Sequence, residues 1–330
     1  APQTAEPREY ALERHTLHMG TLINAKLFGA TPEAVKHYAI VFEDKVTDYD
    51  DLMSVHKDTP LNEVNRRAGE PVEVPCEIAD MTKQALAIAD ETNGAFEPMI
   101  GPVVNLWKIG FGGEHVPSDE AIAEAVSKVD RSKVRVWREG GRCMMQIAKG
   151  QSIDMGAIAK GFIGQRLSDI LKHEGMTRGV LDLGGNIVAV GEKSDGRSWR
   201  IGIQHPAESR GGYFAVASAK DESVITSGAY ERYFEENGKR YSHILDPKTG
   251  RPAKTDISSV TIIDRDGARA DALCTALFAM GWDRAEAFLR THPELKALVM
   301  HADMKQAVMT PAAASSVTSA DPSVKLTVLK

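Results

Sequence analysis

One histidine stands where a predicted strand meets two tight turns. His243 lies in the segment SHILDPKTGRPA (residues 242–253), where Asp-Pro and Thr-Gly follow it closely. Proline fixes φ and glycine allows positive φ, so the pattern predicts that His243 ends a strand at a rigid turn. A ring held in this way could act on a bound ligand, because a neutral imidazole can accept a proton near pH 7. A surface hairpin with an incidental histidine fits the same residues.

A carboxylate and a hydroxyl lie four residues apart in the segment ADALCTALFAMG. Asp271 and Thr275 therefore share one face of a predicted helix, with Cys274 beside them. Two hard oxygen ligands suit Mg²⁺, which usually completes its shell with water and substrate phosphate. The spacing also fits a structural role, in which Asp271 complements the helix dipole and Thr275 packs in the core.

A lysine stands near the start of the helix predicted over residues 154–174. Such a cation is unfavourable at the positive end of a helix, and Lys160 shares a side with the apolar Ile163 and Leu167. Free backbone N–H groups at a helix start, together with a lysine, could hold a phosphate. Alternatively, the lysine extends around the edge of the core. The GxxxxGK[ST] spacing of a Walker A loop is missing.

Two glycine-containing segments could approach a ligand. Residues 94–113 read GAFEPMIGPVVNLWKIGFGG and are predicted to form an irregular loop. Phe96, Trp107 and Phe111 of this loop could wall a flat ring or fill the core. The glycine pair of LDLGGNI either admits a ligand close to the backbone or makes an ordinary hairpin turn.

Predicted helices and antiparallel hairpins are intermixed along the chain. Apolar periodicity predicts helices over residues 31–51, 77–92, 118–128, 154–174, 268–280 and 283–291. Strands or hairpins are predicted over residues 19–29, 134–147, 180–190, 198–205, 213–219, 223–226, 240–245, 258–263 and 297–301. This mixture predicts an α+β fold rather than a doubly wound parallel sheet. Residues 1–14 are expected to form a flexible lead, and residues 311–330 a C-terminal extension.

Composition excludes several classes of protein. A chain of 330 residues, 42% of them hydrophobic, suits one large or two modest globular domains. A net charge of −6 and the lack of long basic runs argue against a nucleic-acid partner. No apolar stretch approaches the length of a transmembrane helix. Cys76, Cys143 and Cys274 are widely spaced, and we expect neither a CxxC metal site nor a disulfide framework. The first residue is Ala, which mildly favours a removed signal peptide, although a chain trimmed at its N-terminus would begin in the same way.

The order of the motifs along the chain is the most specific signal. In sequence they are MGT, LNEVN, GAFEPMIGPVVNLWKIGFG, IDMGAIAKGF, LDLGGNI, WRIGIQHP, TSGAYERYF, SHILDPKTGRPA and ADALCTALFAMG. This order resembles the ApbE family, the FAD:protein FMN transferases, over about residues 15–310, which would form one domain. The resemblance implies an ApbE-like, T-fold-related α+β fold with mixed antiparallel sheets and packed helices. It also implies an active site in a cleft between two subdomains.

The resemblance implies a reaction. The chain would bind FAD and Mg²⁺ and transfer FMN to a threonine or serine hydroxyl of a target protein through a phosphoester bond, releasing AMP. An FAD pyrophosphatase and a non-catalytic FAD-binding protein are the alternatives. The implied targets are subunits of membrane redox complexes of the sodium-translocating quinone reductase, Rnf or nitrous-oxide-respiration type. The implied location is the periplasm, with a lipid anchor on the precursor as in a lipoprotein.

The resemblance also implies roles for individual residues. The expected catalytic residues are His243, which would assist deprotonation of the acceptor hydroxyl or polarise the pyrophosphate, and Asp271. The implied metal ligands are the Asp271 carboxylate, the Thr275 hydroxyl, the Ala157 carbonyl and, as a further candidate, the Cys274 carbonyl. FAD contacts are implied for Met19, Ala95, Phe96, Glu97, Asp154, Lys160, Ser227 and Leu245. His56 lies near a position where relatives often carry an aromatic residue, and it could stack on the flavin.

Overall fold

A computed structural model describes residues 9–54, 57–207, 212–228, 232–253 and 256–330. The strands in these ranges are β1 (Tyr10–His18), β2 (Thr21–Gly29), β3 (Val72–Val74), β4 (Arg135–Glu139), β5 (Arg142–Gln146), β6 (Gly179–Leu183), β7 (Asn186–Val190), β8 (Trp199–Gln204), β9 (Tyr213–Ala219), β10 (Glu222–Gly228), β11 (Tyr233–Glu236), β12 (Lys239–Ser242), β13 (Leu245–Asp246), β14 (Arg251–Pro252), β15 (Ile257–Asp264), β16 (Lys296–His301), β17 (Gln306–Met309), β18 (Val317–Ser319) and β19 (Lys325–Val328). The helices are α1 (Pro32–Met53), α2 (Pro60–Arg66), α3 (Cys76–Glu91), α4 (Gly101–Trp107), α5 (Asp119–Ser127), α6 (Ala159–His173), α7 (Gly267–Met280), α8 (Trp282–Arg290) and α9 (Pro311–Ala314).

The main sheet has the strand order β1-β2-β6-β7-β10-β15-β16-β17-β19. Neighbouring strands are antiparallel except β17 and β19, which are parallel. The interior strand β15 reads ISSVTIID and is buried on both faces along almost its whole length, its small Ser and Thr side chains included. Antiparallel sheets combined with packed helices confirm the predicted α+β class.

The two faces of the main sheet are covered differently. Helices α1, α6 and α7 pack on one face, and the three-stranded sheet β18-β9-β8 packs on the other. Successive residues Val224 and Ile225 of β10 belong to different hydrophobic cores, because side chains alternate across a strand. Within the described ranges, every helix is too short or too polar to cross a bilayer.

Both ends of the chain contribute strands that the sequence did not predict. The expectation of a flexible lead over residues 1–14 is wrong from Tyr10 onward, because YALERHTLH alternates between half-buried and exposed residues and pairs with β2. Residues 1–8 lie outside the described ranges. Residues 311–330 are part of the packed fold, since β19 pairs with β17 and β18 pairs with β9.

Two further sequence expectations differ from the structure. The loop expected over residues 94–113 contains a 3₁₀ turn, Pro98–Ile100, followed by α4. The Glu97 carboxylate caps the 3₁₀ turn by accepting a hydrogen bond from the Met99 N–H. The helix expected from Asp154 begins only at Ala159. The Asp154 carboxylate accepts a hydrogen bond from the Gly156 N–H (2.8 Å), and such a local turn competes with helix.

A disulfide joins Cys76, the first residue of α3, to Cys143 on β5. The expectation that the cysteines provide no disulfide framework is therefore wrong for Cys76 and Cys143. The two residues are 67 apart in sequence, and their Cα atoms lie 5.3 Å apart only because the sheet β3-β5-β4 packs against α3. Cysteine spacing alone carries no information about such a tertiary contact.

Removing this disulfide should destabilise the protein. The double variant Cys76→Ser, Cys143→Ala should lower the free energy of unfolding by roughly 2–5 kcal/mol, because the unfolded chain regains the entropy of an open loop. Urea unfolding with and without a reductant measures the effect. The reductant should destabilise the wild type by a similar amount and leave the variant unchanged. Equal sensitivity of both proteins to the reductant would contradict the assignment.

Candidate active site

Helices α6 and α7 touch through their backbones at a pair of glycines. A Cβ atom on Gly161 would lie 2.1 Å from the Gly267 carbonyl oxygen and 2.6 Å from the Asp271 Cβ. A Cβ atom on Gly267 would lie 2.4 Å from the Gly161 carbonyl oxygen. Any side chain at either position would separate the helices. The contact places the first turn of α6 against Asp271 of α7.

The Asp271 carboxylate binds the start of α6. Its Oδ2 accepts hydrogen bonds from the Gly161 N–H (2.8 Å) and from the Asn186 side-chain amide (3.4 Å). Ile158, at the N-cap position of α6, offers no side-chain acceptor, so Asp271 supplies from another helix the anion that a helix start favours. Asp271 is buried. One of the backbone N–H groups that were predicted to bind a phosphate at this helix start is therefore already bonded to a carboxylate.

The other expected metal ligands lie on α7 and in the turn that precedes α6. Thr275 is half-buried one turn after Asp271, and Ala157 lies in the turn before α6. A carboxylate, a hydroxyl and a backbone carbonyl are all hard oxygen donors, which is the set that Mg²⁺ prefers. The Cys274 thiol donates to the Ile225 carbonyl of β10 (3.2 Å), so this residue could contribute only its backbone oxygen. The described residues contain no cluster of three His, Cys, Asp or Glu side chains that could hold a metal ion. The expected site has only one carboxylate among its oxygen ligands, so it is a different kind of site from such a cluster.

His243 directly follows β12, as the sequence predicts. The Arg232 carbonyl accepts hydrogen bonds from both the backbone N–H (3.0 Å) and the ring Nδ1 (3.1 Å) of His243. Burial, reinforced by the positive charges of Arg232 and Lys160, lowers the pKa of His243 from 6.5 to about 4. The ring is therefore neutral at pH 7. Because Nδ1 donates to a carbonyl, Nε2 carries the lone pair that can accept a proton.

Lys160 connects the helix start to this histidine. It lies half-buried in the first turn of α6, directly before Gly161, whose N–H binds Asp271. Its positive charge also contributes to the lowered pKa of His243. Lys160 is thereby linked to two distant segments, to Asp271 through its neighbour Gly161 and to His243 through its charge.

A second set of contacts positions Asp154. Its backbone N–H donates to the Pro98 carbonyl (2.8 Å), which places it beside the 3₁₀ turn that follows residues 95–97. Asn65, the last residue of the LNEVN motif, binds both the N–H and the carbonyl of Ile153 through its side chain (2.7 and 3.0 Å). Burial raises the pKa of the Asp154 carboxyl, although the Gly156 N–H and the charge of Arg232 oppose this change.

Residues 95–97 contribute little side-chain surface to a ligand site. Ala95 and Phe96 are buried in the main core, so Phe96 fills the core rather than walling an open cavity. The Glu97 carboxylate accepts hydrogen bonds from Arg131 (2.8 Å) and from the Met99 N–H (3.2 Å). Any FAD contact by this segment must therefore come mainly from its backbone.

Met19 occupies the tight turn between β1 and β2 with a positive φ of 52°. Its N–H donates to the buried Asp50 carboxylate (2.9 Å), which also binds His18 (3.1 Å) and Lys57 (2.8 Å). Burial raises the pKa of Asp50, but the hydrogen bonds from Lys57, His18 and the Met19 N–H outweigh it and lower the pKa overall. Asp50 was not predicted as a site residue. Its carboxylate next to Tyr49, on the otherwise apolar face of α1, could have indicated a functional position.

The remaining predicted residues have varied surroundings. Trp107 donates its indole N–H to the Gly250 carbonyl (2.7 Å) and lies in a small core with Leu245. The tryptophan thus anchors the turn after His243 and is not available to wall a ring. Ser227 lies half-buried near the end of β10. His56 lies outside the described residues. The active-site cleft between two subdomains stays a prediction.

The His243 pKa predicts how stability depends on pH. Between about pH 4 and 6.5 the unfolded chain binds a proton on this ring and the folded chain does not, so the free energy of unfolding should fall as the pH is lowered through this window. His243→Gln should reduce the slope of the unfolding free energy against pH by up to one proton. His15→Gln, which changes an exposed residue of β1, should keep the wild-type slope. Urea unfolding between pH 4.5 and 6.5 measures the slopes. A wild-type slope in His243→Gln would contradict the assignment.

Comparison with known proteins places the chain in a family. The model of the ApbE family matches residues 19–299. An FAD:protein FMN transferase from Treponema pallidum is 38% identical over 91% of this chain and 87% of its own length. The crystal structure of the ApbE protein from Thermotoga maritima matches with a TM-score of 0.79, at 30% identity over 88% of this chain and 94% of that one. The flavin transferase ApbE from Vibrio cholerae also matches with a TM-score of 0.79, at 28% identity over 93% of this chain and 100% of its own. The chain belongs to the ApbE family.

Proposed function

We propose that the protein is an FAD:protein FMN transferase. The observation that supports the proposal is that Lys160, whose charge acts on the neutral His243 ring, directly precedes Gly161, whose N–H binds Asp271. An anion-binding lysine, a carboxylate and a base are the groups that phosphoryl transfer from a diphosphate requires. Membership of the ApbE family supports the same reaction, because relatives such as that from Treponema pallidum carry this name.

The proposed reaction exchanges one phosphoester-type bond for another. The hydroxyl oxygen of a serine or threonine in the target attacks the phosphorus on the FMN side of FAD. A new P–O bond forms, the bond from that phosphorus to the bridging oxygen breaks, and AMP leaves with the bridging oxygen. Nε2 of His243 takes the hydroxyl proton, because Nδ1 is occupied by the Arg232 carbonyl. Lys160 lies where it can offset the charge that develops on the phosphates.

The residues around Asp271 fit a magnesium ion. Asp271, the Thr275 hydroxyl and the Ala157 carbonyl would hold it, and the Cys274 carbonyl is a further candidate. Bound there, the ion would neutralise part of the diphosphate charge. The protein's own contribution is to keep α6 and α7 in contact at Gly161, which holds the first turn of α6 against Asp271 of α7.

Several residues are proposed to contact FAD. Asp154 lies in the turn before α6 and Lys160 in the first turn of α6, and both carry groups suited to polar parts of the dinucleotide. The other proposed contacts are Met19, Ala95, Phe96, Glu97, Ser227 and Leu245. Burial of most of these side chains indicates that the flavin would meet backbone atoms as much as side chains.

The proposed location is the periplasm, and the proposed targets are subunits of membrane redox complexes. The disulfide between Cys76 and Cys143 supports the location, because such bonds persist in oxidising compartments and are rare in the cytosol. A lipid anchor on the precursor stays part of the proposal. Fractionation of source cells, with mass analysis of the N-terminal peptide, tests both, and recovery in the cytosolic fraction would refute the location.

Intact-mass measurement tests the function. The protein is incubated with FAD, Mg²⁺ and a candidate target subunit, and the target should gain the mass of one FMN while AMP appears in equal amount. Release of AMP without any target would identify an FAD pyrophosphatase instead. Binding of FAD with neither product would identify a non-catalytic flavin-binding protein. A target in which the acceptor hydroxyl is removed serves as the matched control.

A further inference from the structure

Arg232 is a charged residue beside the site whose side chain has no role in the function described so far. It lies just before β11 in the segment TSGAYERYF, and its side chain is exposed. Among the described residues, no carboxylate lies within ion-pair distance of its guanidinium group. An arginine that is held in place without an anionic partner is a candidate for binding an anionic ligand.

The loop that contains Phe111 holds the Arg232 side chain. The guanidinium carbon lies 5.2 Å from the centre of the Phe111 ring, within the range of a cation–π contact. Gly110 has a φ of +81°, and a Cβ atom there would lie 2.7 Å from the Arg232 Cδ. The backbone of the loop therefore packs against the aliphatic part of the arginine, while the ring supports its charged end. This contact gives Phe111 a role that differs from the two predicted from the sequence, which were walling a flat ring and filling the core.

Arg232 and Lys160 approach His243 from two different elements. The backbone carbonyl of Arg232 binds the His243 ring directly, so Arg232 lies next to this ring, and the charges of both Arg232 and Lys160 act on it. Within the described ranges, Lys160 also makes no ion pair. Two such cations whose charges act on the same proton-accepting ring provide the charge that a multiply charged anion needs. In the proposed reaction, the anion beside this ring is the diphosphate of FAD.

We propose that the Arg232 guanidinium binds a phosphate oxygen of the substrate's diphosphate while its backbone carbonyl holds His243 in the proton-accepting tautomer. This inference rests on the proposed function for the identity of the anion. The carbonyl contacts persist in any side-chain variant, because they involve the backbone. Side-chain substitutions at Arg232 therefore isolate the role of the guanidinium.

Flavin titrations of Arg232→Gln and Arg232→Lys test the proposal. Arg232→Gln should weaken FAD binding on the order of 10- to 100-fold, the range for hydrogen bonds to charged groups, and should leave riboflavin binding unchanged because riboflavin lacks phosphate. The FAD affinity of Arg232→Lys should lie between those of the wild type and Arg232→Gln, because lysine keeps the positive charge but lacks the planar set of N–H donors. The matched control is Arg240→Gln, an exposed arginine of the same hairpin that stacks on Tyr233 at 3.9 Å, and it should bind FAD like the wild type.

The outcomes separate this inference from the proposed function. FAD binding within about twofold of wild type in Arg232→Gln, beside a wild type that transfers FMN, would overturn only the role of Arg232. An equal loss for riboflavin would overturn it in favour of a flavin-stacking role. Normal FAD binding with slow transfer that excess target restores would overturn it in favour of target docking. A selective loss of FAD binding in a protein that transfers nothing would support the anion site and refute the transferase.

Discussion

Asp271→Asn should abolish transfer of FMN to a target protein while leaving the fold intact. The amide oxygen of asparagine can still accept the hydrogen bond from the Gly161 N–H, so the start of α6 keeps its cap. The negative charge that would hold a divalent cation is lost. We expect the transfer rate to fall about 10³-fold or more, because charge stabilisation at the diphosphate supplies a large part of the catalysis. Intact-mass kinetics over a range of Mg²⁺ concentrations measure the loss.

The matched control for this variant lies on the same helix. Asp266 caps the start of α7 through the Arg269 N–H, and Asp266→Asn replaces one good N-cap residue by another. We expect wild-type transfer and wild-type Mg²⁺ dependence in the control. If Asp271→Asn kept both properties as well, the metal assignment would be wrong. Adding Thr275→Val should then also have no effect.

His243→Gln should slow transfer by about 10²–10⁴-fold, the range for loss of a general base. Glutamine can still donate a hydrogen bond to the Arg232 carbonyl, but it offers no basic nitrogen to the acceptor hydroxyl. FAD affinity should change by no more than about threefold, because the neutral ring carries no charge to attract phosphate. Fluorescence titration with FAD and intact-mass kinetics measure the two quantities separately.

The rate of transfer should also depend on pH through this ring. In the absence of substrate, burial and two nearby cations keep the pKa of His243 at about 4. A bound diphosphate would raise that pKa, since an opposite charge favours the protonated ring. The rate should therefore fall on the acid side at a pH above 4, and this limb should disappear in His243→Gln. An unaltered acid limb in the variant, or equal losses in the exposed-strand variant His15→Gln, would count against a base at His243.

Local patterns predicted the elements that carry the site better than they predicted how the elements meet. Helix α5 was predicted within one residue at each end, because Ser118 caps it and the apolar period is regular. The position of His243 after β12 followed from its proline and glycine neighbours. Asp271 and Thr275 were placed on one helix face by spacing alone. All three inferences depend on residues that are close in sequence.

Contacts between distant segments could not be predicted in this way. The disulfide of Cys76 and Cys143 depends on how α3 meets a small sheet. The start of α6 at Ala159 depends on a turn that Asp154 makes with its own neighbour. In the sequence, Arg232 does not differ from the other charged residues of this hairpin. Only its contacts with Phe111 and His243 distinguish it from them.

The backbone contact between Gly161 and Gly267 has a consequence for mutational scans and for engineering. Substitution at either glycine would push apart the two helices that carry the oxygen ligands, so both positions should score as severely as His243 although neither supplies a reacting group. A library that seeks new flavin donors or acceptor sequences should therefore keep both codons invariant. Diversity is better placed on the β11–β12 hairpin, whose exposed side chains can change without moving that junction.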